Sequence, residues 1–155
     1  MDSETERYLT IIAAHRTSRP EGFVYSCIED FVLKNGRHMG DRSERSALYK
    51  NGRIKECYRN ALFLAHDHQD LIYCEGYALG AILPVLHAWC VDNKGNVIDP
   101  TWNDGKDYFG VMFSTRFAVK HTLARGCYGL IDDWKNHFPL LRGKHRKEIL
   151  HEIIG

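Results

Sequence analysis

With 155 residues, 21 Lys+Arg against 20 Asp+Glu and 44% hydrophobic residues, the chain has the composition of an ordinary globular domain. The formal charge of +1 gives no bulk attraction to nucleic acid or to an anionic membrane. The longest apolar stretch, Leu79 to Leu86, contains Gly80 and Pro84 and is far too short to span a bilayer. The acidic start, Met1-Asp2-Ser3-Glu4-Thr5-Glu6, lacks the basic-then-apolar order of a secretory signal. Five cysteines without a CxxC pair suit free thiols in a reducing cytosol better than a disulfide framework or a zinc ribbon.

Ser3-Glu4-Thr5-Glu6 has the form of a capping box, so a helix is predicted from there to about His15, burying Tyr8, Ile11 and Ile12. Pro20 fits the start of a second helix and Asn35-Gly36 its left-handed stop. Val24, Cys27, Ile28, Phe31 and Val32 recur between them at helical spacing. Residues 37–53, rich in Arg, Ser and Gly, read as a loop with room for one helical turn. A third helix from about Glu56 to His66 is apolar around most of its circumference, the pattern of an enclosed helix. Strands are predicted over 71–79, 85–91 and 96–99, with 108–113 as a further candidate. Ser114 or Thr115 caps a helix that Gly126 ends, and the tail from Leu140 to Ile154 reads as a basic helix. The order of elements, helices then an antiparallel meander then helices, makes an α+β fold over one domain, residues 1–155.

Three segments carry candidate chemistry: Glu56-Cys57-Tyr58-Arg59-Asn60, His87-Ala88-Trp89 and Asp99-Pro100-Thr101-Trp102. A cysteine in the first turn of a helix sits at the positive end of the helix dipole, which favours a thiolate. Such a nucleophile needs an imidazole to accept its proton and a carboxylate to orient that imidazole. Asp92-Asn93-Lys94-Gly95-Asn96 reads as a hairpin with the three-residue loop Asn93-Lys94-Gly95, Gly95 being left-handed. Asp92 then pairs with Asn96, Trp89 with Asp99 and His87 with Thr101. Asp99 falls on the His87 face, one diagonal step away and within side-chain reach. A loop of two or four residues would turn it to the opposite face.

A cysteine at a helix start, His-Ala-Trp on a strand and Asp-Pro-Thr on the next resemble the transglutaminase-like branch of the papain-like cysteine enzymes. Tyr73-Cys74-Glu75-Gly76-Tyr77-Ala78 is similar to the strand that precedes the histidine strand there. The resemblance covers about residues 54–102. It implies Cys57 as nucleophile, His87 as general base and acid, and Asp99 as orienting carboxylate, on a cysteine-bearing helix packed against an antiparallel sheet. It also implies acyl-transfer chemistry on a peptide, a protein side-chain amide or a small acyl substrate, with no cofactor and no metal. Lys55 and Tyr58 stand where the family often has Gly and Trp. Asn51, six residues before Cys57, is an oxyanion candidate, and the backbone amide of Cys57 is another.

Each of these residues also has a plainer reading. Cys57 fits core filling, as do Cys27, Cys74, Cys90 and Cys127, and Asp99-Pro100 fits a strand terminator. Strand alternation turns Cys90, the nearest rival thiol, away from His87. His66, Asp67, His68 and Asp70 form a weak metal pattern, and the basic run Arg142 to Lys147 reads as a solvated face. Arg37, Arg42, Arg45 and Arg53 could hold an anionic substrate. The substrate-binding candidates are Tyr73, Glu75, Tyr77, Trp89 and Trp102. A non-catalytic binding module is the rival class, using the basic loop or a ligand groove lined by Tyr73, Glu75, Tyr77 and Trp89.

Overall fold

The computed structural model describes residues 3–49 and 53–150. Helix α1 spans Glu4–His15, and its N-cap Ser3 accepts the Glu6 amide at 2.9 Å. Tyr8 packs against the core as expected, beside the buried Thr5 and Leu9, whereas Ile11 is 57% exposed and not on the buried side. Helix α2, Ile28–Asn35, starts later than Pro20. Cys27 caps it through its sulfur, and residues 20–27 are turns tied to the C-terminal segment by Val24 and Tyr25 amides donating to the Leu141 carbonyl. Gly36 ends α2 in an extended conformation, φ −100°, and not in a left-handed one. A side chain there would meet the Gly110 carbonyl oxygen at 2.6 Å, so the glycine answers to space.

The 37–53 stretch is more structured than its composition suggests, with a short strand β1 at Arg37–His38 and a 3-10 helix over Glu44–Tyr49. Helix α3, Cys57–Asp67, is followed by strands β2, Ile72–Leu79, β3, Pro84–Val91, β4, Val97–Ile98, and β5, Lys106–Phe113. Helix α4, Thr115–Arg125, is capped by Ser114 and stops at Gly126 in the left-handed region. The predicted basic helix of the tail does not form over 140–150. Turns, with Gly143 at φ +85°, lead to strand β6, Ile149–Leu150, on β5; residues 151–154 lie outside the described residues.

The sheet is antiparallel in the order β1-β5-β2-β3-β4, with β6 also on β5. This is an α+β architecture. Alternation along the strands divides its core in two. One cluster joins Tyr73, Ala88, Cys90 and Val111 to Leu9, Phe31 and the buried side of α3. The other holds Cys74, Trp89, Val91, Tyr108 and Met112. Side chains of this size contribute ~1.5–3 kcal/mol each when fully buried. Helix α3 packs chiefly on β3, and the Cys90 thiol donates to the Ala61 carbonyl at 3.2 Å across that seam. No helix among the described residues is long and apolar enough to cross a membrane.

Candidate functional site

The β3–β4 hairpin brings the strand residues together. The Asp92 amide donates to the Asn96 carbonyl and the Gly95 amide to the Asp92 carbonyl, both at 3.0 Å. Asp92 Oδ1 also accepts the Lys94 and Asn96 amides, and Gly95 has φ +84°. The loop is therefore Asn93-Lys94-Gly95, and the register continues as Val91 opposite Val97 and Cys90 opposite Ile98. One further step sets Asp99 across from Trp89. Gly95→Val should strain the turn by ~1–2 kcal/mol. It should reduce any His87-dependent activity more than the melting temperature, because a one-residue slip reverses the face of Asp99. Melting and activity measured on one sample check this.

His87 Nε2 and Asp99 Oδ2 lie 2.8 Å apart, with the two side chains 1% and 0% exposed. Asp99 is held from every side. The Tyr108 hydroxyl donates to Oδ2 at 2.5 Å, and the Thr101 and Trp102 amides donate to Oδ1 at 2.9 and 3.0 Å. The Asp99 amide donates to Ser46 Oγ at 3.0 Å. Burial alone would raise the Asp99 carboxyl, but the His87 hydrogen bond and charge, with those from Tyr108 and Trp102, hold it below the usual carboxylate range. Burial likewise pulls the His87 imidazole down, and the Asp99 and Cys57 side chains outweigh it, raising the ring to about 9.

The Cys57 thiol is thus near enough to the imidazole to help raise it. Nε2 faces Asp99, which leaves Nδ1 as the other ring nitrogen. Cys57 is half-buried and opens α3, whose N-cap Glu56 makes no side-chain capping bond. Asn60, one turn on, donates from Nδ2 to the Arg53 carbonyl at 3.0 Å and to Thr101 Oγ1 at 3.1 Å. That bond fastens the cysteine-bearing turn to the chain just beyond Asp99. Trp102, half-buried, stacks on the imidazole with ring centroids 3.7 Å apart and planes at 16°. It covers one face of the ring.

The expected groove does not exist in the form read from the sequence, because four of the five substrate-binding candidates are buried. Tyr73 donates to Glu75 Oε2 at 2.7 Å, and Glu75 accepts the Leu130 and Ile131 amides, fastening residues 130–131 to β2. Burial raises the Glu75 carboxyl despite these donors. Tyr77 donates to Glu29 at 2.6 Å, and Trp89 is fully enclosed in the second core cluster. Trp102 alone stays partly accessible. A binding module built on the aromatic groove loses its surface with them.

Other candidates separate as clearly. Arg42 donates to the Trp102 carbonyl at 2.9 Å, and Arg45 reaches Tyr49, Asp70 and Asp92, so both serve the protein's own contacts. His68 packs edge-on against Tyr49, and among the described residues no cluster of three His, Cys, Asp or Glu is placed to hold a metal ion. Cys74 and Cys90 are enclosed, and burial pushes both thiols up. Asn51 lies outside the described residues. Tyr108, Ser46 and Asn60 were missed from the sequence. Only Asn60 carried a signal there, its i+3 spacing from Cys57 placing it above the cysteine on the helix.

No protein-family model matches the chain, and no curated protein or solved structure matches it either.

Proposed function

We propose that the chain is a thiol enzyme of the transglutaminase-like kind, carrying out acyl transfer from an amide or another acyl donor with Cys57, His87 and Asp99. The observation that carries this reading is the buried 2.8 Å contact between His87 Nε2 and Asp99, with Cys57 near enough to the same ring to raise it. A carboxylate that fixes Nε2–H leaves Nδ1 facing the nucleophile, the tautomer that proton transfer requires. The imidazole, raised to about 9, takes the Cys57 proton as the sulfur becomes the nucleophile. The sulfur attacks the carbonyl carbon, the imidazolium gives its proton to the departing amine or thiol, and a thioester remains on Cys57. Water or an incoming amine then attacks that thioester, His87 takes the proton, and the thiolate leaves. The uncapped first turn of α3 offers its amides to the oxyanion formed in each step.

The test combines labelling with turnover. Iodoacetamide mapped by mass spectrometry should modify Cys57 first of the five thiols and continue to do so below pH 7. A panel of chromogenic amides and thioesters should show turnover that Cys57→Ala abolishes. Cys27 or Cys127 reacting first, together with no Cys57-dependent turnover across the panel, would reject the enzyme.

A further inference from the structure

The oxygen of Asp99 that meets the imidazole has a second donor from a strand that is not a neighbour of β4. Tyr108 lies on β5, separated from β4 by β2 and β3, yet its hydroxyl reaches Asp99 Oδ2 at 2.5 Å across the sheet face. Glycine makes room beside the hydroxyl, since a Cβ on Gly105 would fall 2.2 Å from the Tyr108 oxygen and 2.8 Å from the Trp102 ring. A Cβ on Gly110 of the same strand would meet the Trp89 ring at 2.6 Å. The Tyr108 ring is buried and packs edge-on against Trp89 at 4.9 Å.

Near the hydroxyl stands Arg42, whose guanidinium is a charged neighbour of the Tyr108 oxygen and donates to the Trp102 carbonyl. The Asp99 carboxylate can only accept, so the phenol hydrogen points at it.

We propose that Tyr108 is a positioning residue for His87, its hydroxyl holding the Asp99 oxygen that receives the imidazole N–H. The role rests on the Cys57–His87–Asp99 reading above. The titratable groups facing the imidazole are Cys57 from α3, Asp99 from the end of β4 and Tyr108 from β5, with Arg42 behind Tyr108. The positive end of the Tyr108 O–H dipole offsets part of the Asp99 charge felt by the ring. Removing it strengthens the hold of Asp99 on the proton and frees Oδ2 to swing.

Tyr108→Phe keeps the ring and its packing while deleting the hydroxyl. Turnover (kcat) should fall about tenfold with KM unchanged, since loss of one hydrogen bond to a charged group is of that order and Tyr108 is enclosed away from substrate. The His87 ring, followed by nitrogen NMR without any substrate, should titrate at a higher pH than in the unmodified chain. Arg42→Gln, which leaves Tyr108 in place, should move the titration in the same direction by less and guards against misfolding of the first variant. An unmoved His87 midpoint in both folded variants overturns the proposal, even where Cys57-dependent turnover upholds the triad. Should no Cys57-dependent turnover exist, the triad reading fails by itself, and the titration still decides whether Tyr108 sets the state of His87.

Discussion

Asp99→Asn is expected to remove nearly all turnover while leaving the fold intact. The two backbone amides of Thr101 and Trp102 decide the orientation of the new side chain, because only its carbonyl oxygen can accept them. The asparagine NH2 is then forced toward His87 Nε2, which must become an acceptor, and the ring hydrogen moves to Nδ1 on the Cys57 side. That is the wrong tautomer for taking a proton from sulfur, and the corresponding change in serine enzymes costs ~10⁴-fold. The pH dependence should change with it. In the unmodified chain the raised imidazole means that the His87–Asp99 pair stabilises the fold fully below ~6.5, the ordinary histidine range, and ever less as pH rises through about 9. The variant should lose most of that dependence. Turnover against pH and melting against pH read the two parts, and a variant with wild-type turnover would show that another group orients His87.

Gly76→Ala is expected to be the most damaging single methyl group in the sheet. The added Cβ would lie 2.3 Å from the Phe109 carbonyl oxygen and 2.4 Å from the Gly110 Cα, both backbone atoms of the strand paired with β2. No rotamer change relieves a backbone contact, so β2 and β5 must separate. A cost of about 3 kcal/mol follows from overpacking, a melting temperature lowered by about 10 °C. Gly126→Ala is the matched control, with φ +70° and open space around the glycine, and should cost only ~1 kcal/mol from its conformation. Thermal melts of the two variants rank the effects. Equal losses would mean that backbone conformation, not the close approach of β2 and β5, sets the need for glycine at 76.

Local chemistry explains which features were legible in the sequence. The Gly95 turn, the Ser3 and Ser114 caps and the Gly126 stop each depend on residues within a few positions, and the first of these fixes the His87–Asp99 register. Position along the chain also put Cys57 at the head of α3. What escaped depends on contacts between distant segments. Tyr73, Glu75 and Tyr77 look like a polar-aromatic surface in sequence, and only the approach of residues 130–131 and of Glu29 turns them inward. Tyr108 reaches Asp99 from a strand three places away in the sheet, a relation with no local mark. The tail carries helical spacing and basic residues, yet pairing with the free edge of β5 outweighs that propensity at Ile149–Leu150.

The way the outer strands are shared out bears on how such chains behave when crowded together. Along its outer side β5 is covered in two halves, by β1 at Phe109 and Gly110 and by β6 at Met112 and Phe113. On the far side, residues 41–43 lie along β4, with the Ser43 amide on the Val97 carbonyl and the Val97 amide on the Asp41 carbonyl. Each of the three outermost strands is two residues long, and β1 carries Arg37 and His38. A second molecule seeking to extend this sheet past β1, β4 or β6 meets strands of only two residues, too short to template a long ladder. Edge-to-edge stacking on β5 should therefore begin only after β1 or β6 has peeled away.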